Sequence, residues 1–377
     1  MKKYNIVVDE NIAFPECFEF FGNVIKVKGR EISNPILKEC DFLIVRSVTR
    51  VDENLLKNTR VKFVGTTTSG FEHVDIDFLS RNKIHFAVAS GCNSFAVSEY
   101  VITSIAKLLS DSQEQFIDKT VGIVGYGNIG TKVAKMCQVL GMKIKINDPP
   151  LNRTDKTFKS VSLNEILNCE IITLHVPLTF QDEDKTINLF DENLQTIKEN
   201  SILINTSRGG VVNELKLLEV LNQKKIKLVT DVWINEPDVN IDLLAESDIA
   251  TPHIAGYSIE GKVNGTKMIF EQLNNFLGTN YKFDFLINHQ GKEIIKFDDD
   301  ISPKSIYELL KRIYNIERDS STMKRMLIMK SEEKKIFFDE LRKNYPHRKS
   351  FNDYLIKTSN KSVKSILEGL RFIVTII

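Results

Sequence analysis

The chain has 377 residues, of which 42% are hydrophobic and 27% charged. That is ordinary soluble usage, with room for two or three domains at roughly 150 residues each, and it excludes a disordered, collagen-like or small disulfide-stapled chain. Lys plus Arg number 51 against 50 for Asp plus Glu, a formal net charge of +1, which offers no electrostatic case for a nucleic-acid or membrane-surface protein.

Five cysteines (Cys17, Cys40, Cys92, Cys137 and Cys169) are scattered without CxxC spacing, so neither a disulfide framework nor a zinc site is indicated. The apolar run Tyr4 to Val8 is too short for a signal-peptide core and meets Asp9-Glu10. No run of about 18 apolar residues suggests a membrane span. A cytoplasmic location is the expectation.

In chain order, buried strands are read at Ile6 to Val8, Asp41 to Val45 and Val61 to Val64, with helical stretches such as Glu53 to Lys57 between them. This alternation argues for parallel βαβ units. A long helix follows from Ser94 to Leu109. A fresh βαβ series then opens at Thr120, with strands at 121–124, 143–147, 171–175, 201–205, 227–231 and 249–250. A third region from about Tyr281 carries strand-like stretches at 283–287 and 293–297 and an acidic run at 298–300. Ser302-Pro303 opens a helix whose stripe is Ile306, Leu309, Leu310, Ile313 and Ile316. Another helix, Glu332 to Tyr345, stops at Pro346, and the chain ends as strand, helix, strand.

Val121-Gly-Ile-Val-Gly125-Tyr-Gly127-Asn128-Ile129-Gly130 is a strand running through GxGxxG into a helix. Gly125 makes the tight turn, Gly127 lets a pyrophosphate approach the backbone, and Gly130 lets helix and strand pack closely. The next strand ends at Asp148, where an acid binds ribose hydroxyls and repels a 2′-phosphate. NAD is therefore the expected cofactor, and a capping role for Asp148 stays open.

Three polar loops follow later strands, at the sheet end where open α/β folds bind ligands. In Asn205-Thr-Ser-Arg208-Gly-Gly a guanidinium flanked by glycines can hold a carboxylate bidentately. In Asp231-Val-Trp-Ile-Asn-Glu236-Pro stands the chain's one tryptophan, and in Thr251-Pro-His253-Ile-Ala-Gly256-Tyr257 a histidine directly after a strand. A carboxylate from the preceding acid loop against that imidazole would fix its tautomer and stabilise its protonated form. The other five histidines read as structural or peripheral. No metal-ligand spacing appears, so no metal is expected.

These motifs in this order resemble the D-isomer-specific 2-hydroxyacid dehydrogenases. Val45-Arg-Ser-Val-Thr49, Val64-Gly-Thr-Thr-Thr-Ser-Gly70, Asp148-Pro-Pro150, Glu260-Gly-Lys262 and Phe338-Asp-Glu-Leu-Arg-Lys-Asn-Tyr345 are similar to a branch acting on a phosphorylated 2-hydroxy acid. The resemblance implies a Rossmann nucleotide-binding domain (94–255) inserted in a flavodoxin-like α/β substrate domain (1–93 and 256–280). To these it adds a C-terminal α+β dimerisation domain (281–377). It implies Arg208, Glu236 and His253 as catalytic residues, with Ser47, Thr68 and Tyr257 on the substrate. Asp148, Val176, Asp231 and Gly256 would join Gly125, Gly127, Asn128, Ile129 and Gly130 at NAD, and the protein would be a homodimer.

A substrate phosphate would need placed cations. Arg46 and Arg50 are local candidates, and Arg342, Lys343 and Arg348 form a second cluster that reads better as a solvated face. Two alternatives stay open: oxidation of 3-phosphoglycerate, and a nicotinamide-sensing interaction protein of corepressor type.

Overall fold

Short β-branched and aromatic runs form the strands, and among the residues described by the computed structural model (4–181, 183–285, 293–297, 300–346 and 348–377) every strand pair is parallel. The chain divides into two units, Met1–Asn93 with Ser258–Gln290, and Ser94–Tyr257 with Gly291–Ile377.

In the first unit β1 (Tyr4–Asp9), β2 (Gly22–Val27), β3 (Phe42–Val45), β4 (Phe63–Thr66) and β5 (His85–Val88) lie in the order β2-β1-β3-β4-β5. This is the flavodoxin-like order. The sequence reading misses β2 and β5, the two edges of the sheet. β2 is half-exposed and its apolar residues are interrupted by Asn23 and Lys26, whereas β5 carries the short apolar run Phe86 to Ala89 that was there to be read. The helix Ile259–Leu277 lays Ile269, Phe270 and Leu273 into a core with Phe18, Phe42 and Phe63.

In the second unit β6 (Thr120–Val124), β7 (Lys143–Asn147), β8 (Ile171–Leu174), β9 (Ile202–Asn205), β10 (Lys227–Thr230) and β11 (Ile249–Ala250) take the order β11-β10-β9-β8-β6-β7. Strand order reverses beside β6, and the crevice at such a point, off the strands' carboxyl ends, is where open α/β sheets bind dinucleotides.

The C-terminal segment adds β12 (Glu293–Lys296), β13 (Tyr354–Thr358) and β14 (Ile373–Ile376) in that order. Its helix Pro303–Ile313 buries Ile306, Leu309 and Leu310 in one cluster with Val101 and Ile105 of the helix Ser94–Asp111 and Val121 of β6. Each such side chain is worth about 1.5–3 kcal/mol when fully buried, so this segment shares the nucleotide unit's core. Glu99, buried in the long helix, accepts from Phe351 N at 3.1 Å and Arg371 Nη1 at 2.9 Å.

Two expectations for this segment are corrected. The stripe ending at Ile316 is two helices, because Asn315 caps a new one, Ile316–Lys324, by accepting from Arg318 N. Residues 283–285 form no strand. Phe283 and Phe285 instead pack in an aromatic cluster with Phe14, Phe20 and Phe270. The rest of that stretch, Asp298 and Asp299 of the acidic run, His289 and His347 lie outside the described residues. All five cysteines are buried and unpaired, and among the described residues no helix is long and apolar enough to cross a membrane.

Candidate active site

After β6 the backbone turns at Gly125, whose φ of +87° favours glycine and where a Cβ would stand 2.5 Å from the His175 carbonyl oxygen. A Cβ on Gly130 would sit 2.0 Å from Gly125 O, so close packing of turn and helix demands glycine there too. Gly127 differs, since a Cβ there would meet nothing within 4 Å. Among the described residues no packing demands glycine there, and the helix Gly130–Val139 behind it has no side-chain cap, which leaves room and backbone N–H groups that a pyrophosphate could use. Val176 borders the same turn.

Asp148 ends β7 with both oxygens engaged. Oδ2 accepts from Tyr126 N at 2.7 Å, and Oδ1 accepts from Leu151 N at 2.9 Å, capping the helix Pro149–Thr154. The capping role is therefore real. A carboxylate offers about four acceptor sites, which leaves capacity for ribose hydroxyls.

Past β9, Asn205 Oδ1 accepts from Ser207 N and Oγ at 3.1 and 2.8 Å, while its amide donates to Arg208 O at 3.1 Å. Arg208 itself is half-buried and donates to Ser207 O at 2.7 Å. A Cβ on Gly209 would fall 2.0 Å from Trp233 O. Glycine at that position is what lets the arginine loop lie against the acid loop.

Past β10, buried Asp231 organises the histidine loop. Its oxygens accept from Thr251 Oγ1 at 2.6 Å, Ile254 N at 2.7 Å and Ala255 N at 2.9 Å, and Trp233 Nε1 donates to Thr251 O at 3.0 Å. Burial pushes the Asp231 carboxyl up to about 6, against the opposing pull of His253 and these donors. His253 takes a left-handed φ of 58°. Its Nδ1 lies 2.8 and 3.0 Å from the two Glu236 oxygens, and Glu236 also accepts from Trp233 N at 3.1 Å. Burial disfavours the Glu236 charge, but His253, Arg342 and the Trp233 amide outweigh it and hold the carboxyl below its ordinary value. With Nδ1–H donated to an ionised carboxylate, Nε2 is left as an acceptor, which is the state a general base needs.

Two further residues stand beside the pair, Arg342, which the sequence reading turned to solvent, and Glu214, which it did not name. Arg342, from the helix Ser331–Lys343, brings Nη1 to 3.7 Å from Glu236 Oε2 and stands over the Tyr257 and Phe338 rings at 6.0 and 5.9 Å. The cluster read as a solvated face is thus mostly turned inward. Arg348 is buried, donating to Ala96 O and Ala255 O, and Lys343 alone of the three is exposed. Helical spacing could not reveal this, because the partners come from elements far earlier in the chain, the long helix for Ala96 and the acid and histidine loops for Glu236 and Ala255. Glu214 accepts from Ile234 N at 2.9 Å, and burial with Glu236 nearby pushes its carboxyl up. The first unit carries a separate group of charged and hydroxyl side chains, with Lys262 among them.

There, Arg46 forks onto fully buried Asp9, Nε to Oδ2 at 3.0 Å and Nη2 to Oδ1 at 3.2 Å. Burial and the neighbouring Arg46 charge lower the Lys262 ammonium below its usual range. Thr68 Oγ1 shares a hydrogen bond with Thr66 Oγ1 at 2.8 Å and donates to Gly70 O at 2.9 Å, while Ser47 is exposed. Arg50 pairs with Asp52 at 2.9 Å on the surface. His73 and His175 are half-buried beside threonine hydroxyls, and desolvation lowers their imidazoles to about 4 and about 3, which suits structural roles. His85 stacks on Phe63.

Residues 104–255 match the family model for the D-isomer specific 2-hydroxyacid dehydrogenase NAD binding domain, and residues 286–370 match a domain of unknown function. Erythronate-4-phosphate dehydrogenase of Wigglesworthia glossinidia brevipalpis is 41% identical over 374 residues, with 97% of each chain covered. The protein of the same name from Proteus mirabilis is 38% identical, covering 97% of this chain and 98% of its own. Among solved structures, NAD+-bound 3-phosphoglycerate dehydrogenase of Entamoeba histolytica superposes with a TM-score of 0.62 at 25% identity, covering 76% of this chain and 99% of that one.

Proposed function

Because the chain belongs to the erythronate-4-phosphate dehydrogenase family of D-isomer-specific 2-hydroxyacid dehydrogenases, we infer that it oxidises 4-phospho-D-erythronate to 3-hydroxy-2-oxo-4-phosphobutanoate with NAD, in vitamin B6 biosynthesis. The observation that carries the chemistry is the Glu236–His253 pair, 2.8 Å apart beyond the carboxyl ends of β10 and β11. Arg208 holds the substrate carboxylate. His253 Nε2 takes the proton of the C2 hydroxyl, and Glu236 stabilises the imidazolium that results. General-base catalysis of this kind is worth roughly 10²–10⁴ in rate. In the reverse direction the same imidazolium is the acid.

Gly125, Gly127, Asn128, Ile129, Gly130, Asp148, Val176, Asp231 and Gly256 would hold NAD, which supplies the hydride acceptor when bound. The open space at Gly127 and the uncapped helix behind it fit that group. Ser47, Thr68 and Tyr257 are assigned to substrate hydroxyls and Arg46 to the phosphate. Residues 281–377 are assigned to homodimer formation, a role favoured by the exposure of Ile294, Leu327, Ile328 and Ile336 on that segment. Five unpaired buried thiols suit a reducing cytoplasm.

The test is NADH formation by purified protein offered 4-phosphoerythronate, 3-phosphoglycerate and D-lactate in turn. Preference for the first is expected. Preference for the second would move the substrate assignment, and no NADH from any of them would favour a nicotinamide-sensing role.

A further inference from the structure

We propose that Arg342 is a positioning residue for His253: by sharing the Glu236 carboxylate from the far side, it fixes that carboxylate and keeps the imidazole neutral where it must accept a proton. The proposal rests on the assignment of Glu236 and His253 above, and it ties the C-terminal segment, whose family model is a domain of unknown function, directly to the reaction.

The geometry has three parts. Glu236 Oε2 lies 2.8 Å from His253 Nδ1 and 3.7 Å from Arg342 Nη1, so one oxygen faces both the imidazole and the guanidinium. The Arg342 side chain is mostly buried, its guanidinium between the rings of Phe338 and Tyr257. Tyr257 and Glu236 are the groups that favour its charge against the cost of burial, so the guanidinium is held on the same face as the Glu236–His253 pair.

The groups facing the pair are Glu236 and Asp231 from the loop after β10, Glu214 across that loop, Tyr257 from the histidine loop and Arg342 from the C-terminal helix. With Arg342 present, an ionised Glu236 and a neutral His253 sum to zero charge, and protonating the imidazole makes the trio positive. Without it the pair starts negative, and protonation restores neutrality. Both the repulsion between cations and the competition for Oε2 therefore disfavour the imidazolium, and removing Arg342 should make His253 more basic.

The experiment is the pH profile of kcat/KM for substrate oxidation by wild type, R342Q and R342K, with NAD binding and thermal unfolding as checks on folding. In R342Q the acid limb should move up by about one pH unit. The rate would then fall about tenfold at pH values below the limb and approach wild type above it. R342K should keep the limb within a few tenths of a unit. An equal loss at every pH, or an unmoved limb, would overturn the proposal. Should R342Q not fold, R342M keeps an unbranched stem against Phe338 and reads the same limb. E236Q separates this from the underlying assignment. It should lower the rate and move the limb the opposite way, and a wild-type profile in E236Q would sink the dyad itself whatever Arg342 does.

Discussion

Two polar clusters sit at the carboxyl ends of parallel strands, one in each unit, and they are built in opposite ways. In the second unit nearly every group is already engaged: Asp231 accepts three hydrogen bonds, Glu236 receives His253 and Trp233, and Asn205 braces the arginine loop. In the first, Ser47 is exposed, Thr68 turns onto its own loop, Arg46 forks onto buried Asp9, and Lys262 is close enough to feel the Arg46 charge. A group that moves a proton must be held within tenths of an ångström, and that precision comes from pre-formed bonds. The proposed phosphate site asks less of its side chains, since recognising an anion needs charge more than fixed direction.

The comparison is tested hardest at His253. His253→Asn should bind NAD as wild type does but turn over at least ~100-fold more slowly, and unchanged turnover would remove the chemistry from the second cluster. Gly127→Ala should weaken NAD binding about tenfold in calorimetry while leaving the unfolding midpoint in place, since the added methyl meets no protein atom. A fall in stability without loss of affinity would instead mark that glycine as structural.

Arg46→Ala tests the first cluster. KM for the phosphorylated acid should rise roughly fivefold to tenfold, and more than for an unphosphorylated analogue. Equal effects on both would make the cluster a structural ion pair with Asp9. The smallest effect concerns pH. The Asp231 carboxyl is raised to about 6 when folded against about 3.9 when unfolded. Its contribution to stability is thus complete below pH ~4 and is lost as pH rises through ~6. Urea unfolding at pH 5 and pH 7 should show that decline in wild type and a smaller one in Asp231→Asn. An identical decline would mean that Asp231 keeps an ordinary carboxylate value in the fold.

Much of this molecule was legible in its residues because the informative signals are local. The centre strands of both sheets are continuous apolar runs, and the glycine loop, Arg208, Glu236 and His253 follow strands as bare spacing predicts. The edge β2 was not legible, since a half-exposed strand reads like a loop, while β5 was passed over although Phe86 to Ala89 is a short apolar run. Asn315 was passed over because the helical stripe continues across it, although its capping chemistry was present to be read.

Sequence by itself determined the parallel α/β class, the dinucleotide loop and the set of chemical groups that the loops after β9, β10 and β11 carry. Only the tertiary structure decided who stands next to whom. It turned Asp231 into the anchor of the histidine loop, set Asp9 against Arg46, and carried Arg342 to Glu236 across about a hundred residues of chain. The physical reason is range: backbone preference and hydrophobic periodicity act over a few residues and are written in order along the chain. Partners for a buried charge are fixed by packing of distant elements, and no local pattern records them.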